Sequence, residues 1–515
     1  MRLIKWCVFC FVGLICIGIV IGVISRLHEF RDDDPDRGAL LSGIDKFGAQ
    51  FSRIAYLDQG WSAADSLWFY TTSQGSNLLP YSFFLVLEQT DSAKLFRDDS
   101  NIDRYGYLPQ RPTTANPDGL PVGMVKDEYQ AKAFMGFTCA ACHTTQIDYE
   151  QTGIRIDGGP ANSDMENFMI DLAEALFHTL GTAEKRDRFI ANVLKRGEYA
   201  TADEVVVDLK KYAQRIKAYT IINFPRDAKR PLTQYGYARL DAFGRIYNRV
   251  LEHIMSAQQM RDLLNDVLSP IELTDVMKNV EPILNAADRD HLVERIQVYL
   301  TDKQIMRLRN KIFNPADAPV SYPFLWDVPY HDYIQWNGRV ANGGLGPMAR
   351  NAGQVIGVFG TLDWQEKQGI SLSSVLGGQG IGSKHIDFQS SIDIRNLRRV
   401  EKHLRKLTSP VWPEHILPKI DKTRLMAGAR LFAKYCAACH VQINRIAPDR
   451  RVVAKMISVA SVGTDSKMAE NSLGFWGYSG ILQNQYVATQ VGNLLLQQQA
   501  QAVTLLALAT RNVVT

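Results

Sequence analysis

The chain has 515 residues, 46% of them hydrophobic and 22% charged, with a net charge of +4. That is ordinary globular composition with room for two or more domains, and so small a charge on this length implies no nucleic-acid partner. Of seven cysteines, Cys7, Cys10 and Cys16 lie in the apolar N-terminal segment and the other four in two short motifs, which leaves no spare thiol for a structural disulfide.

Arg2 and Lys5 precede an uncharged run from Trp6 to Ser25, and Asp32, Asp33, Asp34 and Asp36 follow it. A helix of that length spans roughly 30 Å, the thickness of a bilayer core. The charge asymmetry puts the N-terminus in the cytoplasm and the remainder outside. The run is long for a signal peptide and no Ala-x-Ala-like site closes it. The expectation is therefore a transmembrane anchor over 1–25 and a linker over 26–58, with a cleaved signal as the alternative. Together they place the protein on the periplasmic side of a bacterial inner membrane.

An aromatic stretch, Trp68-Phe69-Tyr70, leads to Ser73-Gln74-Gly75 and then to an apolar helix-like run ending at Leu87. Residues 98–123 form a loop by their prolines. It feeds the segment Lys126–His143, which ends in Cys139-Ala140-Ala141-Cys142-His143. Ile154 to Pro160 reads as a short strand and turn. Ser163 and Glu166 make a capping box for a helix whose buried face is Met165, Phe168, Met169, Leu172 and Leu176. Residues 184–220 and 240–312 are mostly helical by pattern. The prolines at 319 and 323 then exclude regular helix. The aromatics Phe324, Trp326 and Trp336 on this irregular backbone suggest a pocket wall. The glycines from Gly377 to Gly382 lack the strand and helix of a nucleotide site and read as a loop. Residues 393–407 form a basic helix with Leu397, Val400, Leu404 and Leu407 inward; its charged face could dock an acidic electron-transfer partner. Pro410, Pro413 and Pro418 mark a boundary. Asp421 to Tyr435 is helical and leads into Cys436-Ala437-Ala438-Cys439-His440, a letter-for-letter repeat of the first motif. The haem-bearing units expected are 59–410 and, as a cytochrome c domain, 411–515.

Cys-x-x-Cys-His is the attachment signature of c-type haem. Two cysteines one helical turn apart reach both vinyl groups of one porphyrin, and the next residue offers its imidazole to the iron. A zinc knuckle would want further Cys or His pairs at ligand spacing, and a redox dithiol needs no trailing histidine. The reading is two covalent haems, held by Cys139, Cys142, Cys436 and Cys439, with His143 and His440 as proximal iron ligands. Such a histidine donates its other ring nitrogen to a carbonyl or carboxylate.

Several segments together resemble one family: Trp68-Phe69-Tyr70 with Ser73-Gln74-Gly75, Asn116 to Gly123, Arg155 to Pro160, Leu240 to Arg245, Pro323 to Asp327 and Gln335 to Gly338. They look like the RoxA-like, rubber-oxygenase-like dihaem c-type cytochromes, within the bacterial dihaem cytochrome c peroxidase superfamily. The resemblance implies a mainly α fold with extensive loops, little sheet and two cytochrome-c-like haem centres. It implies a reactive haem on His143 and an electron-relaying haem on His440. Members usually carry a C-terminal segment with a distal histidine for the second haem. Here no histidine follows His440. Either the chain is cut short or another residue serves: Met468 first, then Met456, His385 or His403.

The function expected is a dihaem oxidoreductase, of oxygenase or peroxidase type. It would take electrons from an electron-transfer protein or a quinone-linked donor and act on a small or apolar substrate with oxygen or peroxide. Phe324, Trp326 and Trp336 would line its pocket; alternatively Trp326 or Trp336 would carry electrons between the haems, since an indole can be oxidised transiently. A non-enzymatic electron-transfer cytochrome with both haems six-coordinate is the alternative, and a haem-based sensor a third.

Overall fold

The computed structural model describes residues 32–514 apart from 42, 45–47, 49, 228–229, 232, 335–337, 339, 369–383, 441 and 490–491. The expected anchor, Trp336 and the glycines from 377 to 382 lie outside the described residues. Among the described residues no helix is long and apolar enough to cross a membrane.

Helix makes up 46% of the protein and strand about 15%, spread over seven small sheets among the described residues. This corrects the expectation of a mainly α chain with little sheet, and no described helix is the membrane helix expected in front of it. Two of the sheets missed contain hairpins with unusual turns. Strand β3 (Met124–Tyr129) pairs antiparallel with β4 (Lys132–Phe137), and β5 (Thr144–Tyr149) with β6 (Gln151–Asp157). Two-residue hairpin turns require left-handed backbone and ordinarily use Asn-Gly or Asp-Gly. Here Gln130, Ala131, Glu150 and Gln151 adopt it, with φ between 41° and 67°. The turn signal is therefore absent from the letters.

These hairpins position the first motif. Its helical turn, α2 (Cys139–Cys142), follows α1 (Ala63–Thr71) in the chain and joins β4 of one sheet to β5 of another. The first sheet is completed by β2 (Leu79–Pro80) beside β4. In the second, β1 (Gln50–Tyr56) runs parallel to β6. Thr138 caps the turn, its hydroxyl accepting from the Ala140 amide at 3.3 Å. Ala140 and Ala141 are buried because the chain at Gly123 passes directly beneath them. Gly123 has φ +78°, and a Cβ there would fall 2.0 Å from the Ala141 nitrogen.

Helix α3 (Met165–Gly181) buries the expected face, Met165, Phe168, Met169, Leu172 and Leu176. Its cap differs from the capping box expected: Asp164 accepts from the Asn167 amide at 3.0 Å, while Glu166 accepts from the Tyr235 amide at 3.2 Å. This helix packs on α4 (Ala202–Asn223) in the largest core. A second core joins α5 (Ala242–Ile254), α6 (Gly346–Gly357) and α7 (Ile394–Leu404) to the last helix, α9 (Ala502–Val514). The inward stripe of α7 is Leu397, Val400 and Leu404, continued by Leu407, as its spacing indicates. Helix α8 (Lys422–Tyr435) contrasts with these, for none of its residues is buried.

Gly123→Ala is expected to destabilise the chain by at least about 2 kcal/mol, through left-handed strain plus collision with the motif turn. Gly197→Ala is the matched control: Gly197 has the same φ of +78° but open space around it, so about 1 kcal/mol is expected. Urea denaturation of the two variants checks the difference.

Candidate functional site

Several of the segments that carried the family resemblance meet at the first motif; Gln335 to Asn337 lie outside the described residues. The Gln74 side-chain oxygen accepts from the Cys139 amide at 3.3 Å and from its thiol at 3.2 Å. Asp157, at the end of β6, is buried among donors: Arg37 at 2.7 Å, the Ser66 hydroxyl at 2.6 Å and the Tyr70 hydroxyl. Gln59 brackets it, donating to its carbonyl at 2.9 Å and accepting from its amide at 3.0 Å. One residue on, Gly158 accepts the Leu325 amide at 2.9 Å through its carbonyl. That contact brings the Pro323–Asp327 segment against the motif.

The central contact is made by His143. Its Nδ1 lies 2.7 Å from the Pro323 carbonyl oxygen. A carbonyl only accepts, so Nδ1 carries the proton and Nε2 keeps its lone pair. Burial pushes the imidazole pKa down to about 4, so the ring is neutral at pH 7. The Tyr322 ring stands edge-on to it at 6.3 Å. Burial pushes the Cys142 thiol up to about 11 and raises that of Cys139 as well. A dithiol redox site works by the opposite shift, a lowered cysteine pKa.

Phe324 and Trp326 stack face to face at 4.8 Å with 9° between their planes. Phe324 is 41% exposed. Trp326 packs with Cys139, Leu108 and Leu325 against a cluster containing Trp61, Trp68 and Ala140. The segment that bears both aromatics is thus fastened to His143 through Pro323.

Sequence reasoning missed the cations. Arg245 is buried, donates to the Gly357 carbonyl and lies near enough to Cys142 to act on its thiol. Arg350 donates to Glu401 at 2.5 Å, and its charge reaches both Cys139 and His143. Each keeps a buried nitrogen with no hydrogen-bond partner, Nε of Arg245 and NH1 of Arg350, and so do Gln74 Nε2 and His331 Nε2. Unsatisfied buried donors are costly. Two guanidiniums with orphaned nitrogens lie within electrostatic reach of the thiols and the neutral imidazole, and cationic donors near the motif suit a porphyrin, which carries two carboxylates on the edge away from its vinyl groups. In the sequence Arg245 follows a helix cap and Arg350 stands in an ordinary helix, so neither signals its burial.

The second motif has the same letters and other surroundings. Its turn also brings the three residues together: the Cys439 and His440 amides donate to the Cys436 carbonyl at 3.0 and 2.8 Å. Cys439 and His440, however, are exposed, as are Leu425, Met426, Leu431, Tyr435 and Met456 nearby in sequence. The following segment is strapped to the chain just after Trp326. Arg450 pairs with Asp327 in a buried ion pair, and the Asp332 amide donates to the Val452 carbonyl at 3.0 Å. Residues 323–332 therefore touch the first motif at one end and the second motif's continuation at the other. Met468 is buried with Phe243, Tyr247, Ala318 and Ala502. His403 has both ring nitrogens engaged by Asp65, its Nε2 lying 3.0 Å from the Asp65 carbonyl and its Nδ1 3.6 Å from the carboxylate. Among the described residues no group of three or more His, Cys, Asp and Glu is placed to hold a bare metal ion.

No family model matches the chain. It is 25% identical over 468 residues to the uncharacterized protein y4iJ of Sinorhizobium fredii (strain NBRC 101917 / NGR234), an alignment that covers 81% of this chain and 65% of that protein. The chain thus spans just under two thirds of the length of the curated relative it matches. No solved structure matches.

Asp241 gives the site a pH dependence. It caps α5 through the Gly244 amide at 2.7 Å and holds the Ala318 amide at 2.9 Å, anchoring the strand that leads to Pro323. Burial pushes its carboxyl from 3.8 up to about 6, against those two donors. Between these values the folded chain holds a proton that the unfolded chain has released. The contribution is complete below pH 3.8 and lost as pH rises through about 6. The stability gap between wild type and Asp241→Asn is expected to move by about 2 kcal/mol from pH 4 to pH 7. Urea midpoints across that range measure it.

Proposed function

We propose that the chain is an exported dihaem c-type cytochrome of the RoxA-like kind, acting as an oxidoreductase on oxygen or peroxide. The observation that carries this is the Nδ1 contact of His143 with the Pro323 carbonyl at 2.7 Å. It leaves a neutral imidazole with a free Nε2 directly after two cysteines on one helical turn, which is what a proximal haem ligand needs. Cys139 and Cys142 would hold the first haem through thioethers, and Arg245 and Arg350, whose charges reach the motif, would offer cationic donors to its carboxylates. When bound, haem supplies an iron centre that binds oxygen or peroxide and passes single electrons. The chain's own part is to fix the His143 tautomer and to keep water from the motif with the cluster around Trp61, Trp68 and Trp326. Cys436, Cys439 and His440 would hold the second haem, and the apolar side chains exposed around that motif suit a site that takes an apolar group. Residues 323–332 give a continuous protein link between the two centres. The reductant is an electron-transfer protein or quinone-linked donor, and the periplasm is the compartment, because c-type haem is attached outside the cytoplasm.

A second reading has one observation of its own. His331 keeps a buried Nε2 with no partner, and Arg350 acts on it as on His143. If His331 closes the iron held by His143, the protein is an electron carrier.

A pyridine haemochrome assay is expected to count two haems per chain, and Cys139→Ser with Cys142→Ser to remove one. An unchanged count in that variant refutes covalent attachment at the first motif. Carbon monoxide added to the reduced wild type is expected to shift one haem's Soret band, with the shift lost in His143→Ala and kept in His440→Ala. No shift in wild type but one in His331→Ala establishes the carrier.

A further inference from the structure

Helices α4 and α5 and the helices between residues 257 and 312 enclose a cavity of about 190 Å³ that the haem reading does not use. An engineered apolar cavity of about 150 Å³ holds a benzene ring, so this one has room for a larger apolar body. Its floor is aliphatic and thioether, with Ile216, Met260, Leu292, Ile296 and Leu308 among the wall residues.

The polar part of the wall is unbalanced. Four arginines line it, Arg215, Arg249, Arg289 and Arg309, against two carboxylates, Glu252 and Asp290. Arg215 is matched, its two donors meeting Asp290 at 3.1 and 2.6 Å. Arg249 gives NH1 to Glu252 at 2.6 Å, but its Nε is buried without a partner in a residue only 8% exposed. Arg309 spends its donors on the Ile222 and Asn314 carbonyls and the Asn310 side chain, all neutral. Arg289 donates to the Leu284 carbonyl at 2.9 Å and has no carboxylate at ion-pair distance among the described residues. Asp363, outside the wall, is held by the Tyr129 hydroxyl at 2.9 Å. His253, also in the wall, gives or takes nothing that compensates: its Nδ1 meets the Arg249 carbonyl at 2.7 Å, and burial with the flanking arginines keeps it neutral. Excess positive charge in a half-enclosed apolar space costs stability unless an anion joins it. Burial and the neighbouring arginines also depress the pKa of Arg289, the direction expected where positive charge is in excess.

We infer that this cavity binds a medium-chain aliphatic monocarboxylate, its tail among Met260, Leu292 and Ile296 and its carboxylate on Arg249 and Arg289. A guanidinium meets a carboxylate in a forked, directional pair, and an apolar wall with few polar groups suits a chain-like ligand. The site stands apart from the haem reading and is tested without it.

The experiment titrates the full-length holoprotein with decanoate by calorimetry, with 1-decanol as the uncharged control. One saturable decanoate site is expected, with 1-decanol at least 10-fold weaker. Arg249→Gln is expected to weaken decanoate at least 10-fold and leave 1-decanol unchanged, and Leu292→Trp to abolish both by filling the space. Circular dichroism and thermal midpoint establish that the variants fold. A diazirine-bearing decanoate cross-linked to the wild-type protein is expected to label peptides between residues 215 and 312, which decides the location should either variant fail to fold. No saturable binding up to 1 mM overturns the proposal. So do equal affinities for acid and alcohol, labelling elsewhere, or folded variants that bind decanoate as wild type does.

Discussion

The contact between His143 and the Pro323 carbonyl is the constraint on which the arrangement around the first motif depends. A carbonyl can orient an imidazole only if its own backbone is held, and three separate contacts hold this one. Asp241 grips the Ala318 amide upstream, Gly158 accepts the Leu325 amide, and Asp327 meets Arg450 just downstream. Pro323 contributes by its chemistry as well. Its ring fixes φ and removes the local amide donor, so the segment neither drifts into helix nor competes for its own carbonyl.

The motif itself is held from below by absence of side chain. Gly123 lets the backbone pass within contact of Ala140 and Ala141, and Gly136 does the same for β4, where a Cβ would fall 1.9 Å from the Ser76 carbonyl oxygen. With the two hairpins on either side, these close approaches leave the Cys139–Cys142 turn little freedom. The buried Asp157 cluster then ties the second sheet to α1 through Ser66 and Tyr70. A carboxylate taken out of water needs this many donors to be tolerated.

Two identical pentapeptides end in opposite environments. His143 is half-buried, desolvated and tied to a carbonyl, whereas His440 is exposed at the end of a helix with no buried residue. The division of labour proposed above, between a reactive and a relaying centre, therefore would not come from the motif's chemistry, which is the same twice. What differs is the neighbours: Arg245, Arg350, Gln74 and the stacked Phe324 and Trp326 around the first, an open apolar surface at the second. The 323–332 segment serves both.

What the sequence determined by itself is local. The repeated Cys-x-x-Cys-His is read from its spacing, the buried faces of α3 and α7 from their periodicity, and the irregular 318–327 segment from its prolines. Each depends on residues within a few turns of one another, so each is legible in the letters. The hairpins flanking the motif were hidden because Gln130, Ala131, Glu150 and Gln151 take left-handed backbone without the usual turn residues, and only pairing across the sheet pays for that strain. The tie between His143 and Pro323 spans 180 residues, and the partners of Arg245 and Arg350 are likewise remote. Long-range carbonyls, orphaned guanidinium nitrogens and an unbalanced cavity wall have no periodicity and no spacing. They exist only once the chain has excluded water around them, which is why tertiary structure alone decided them.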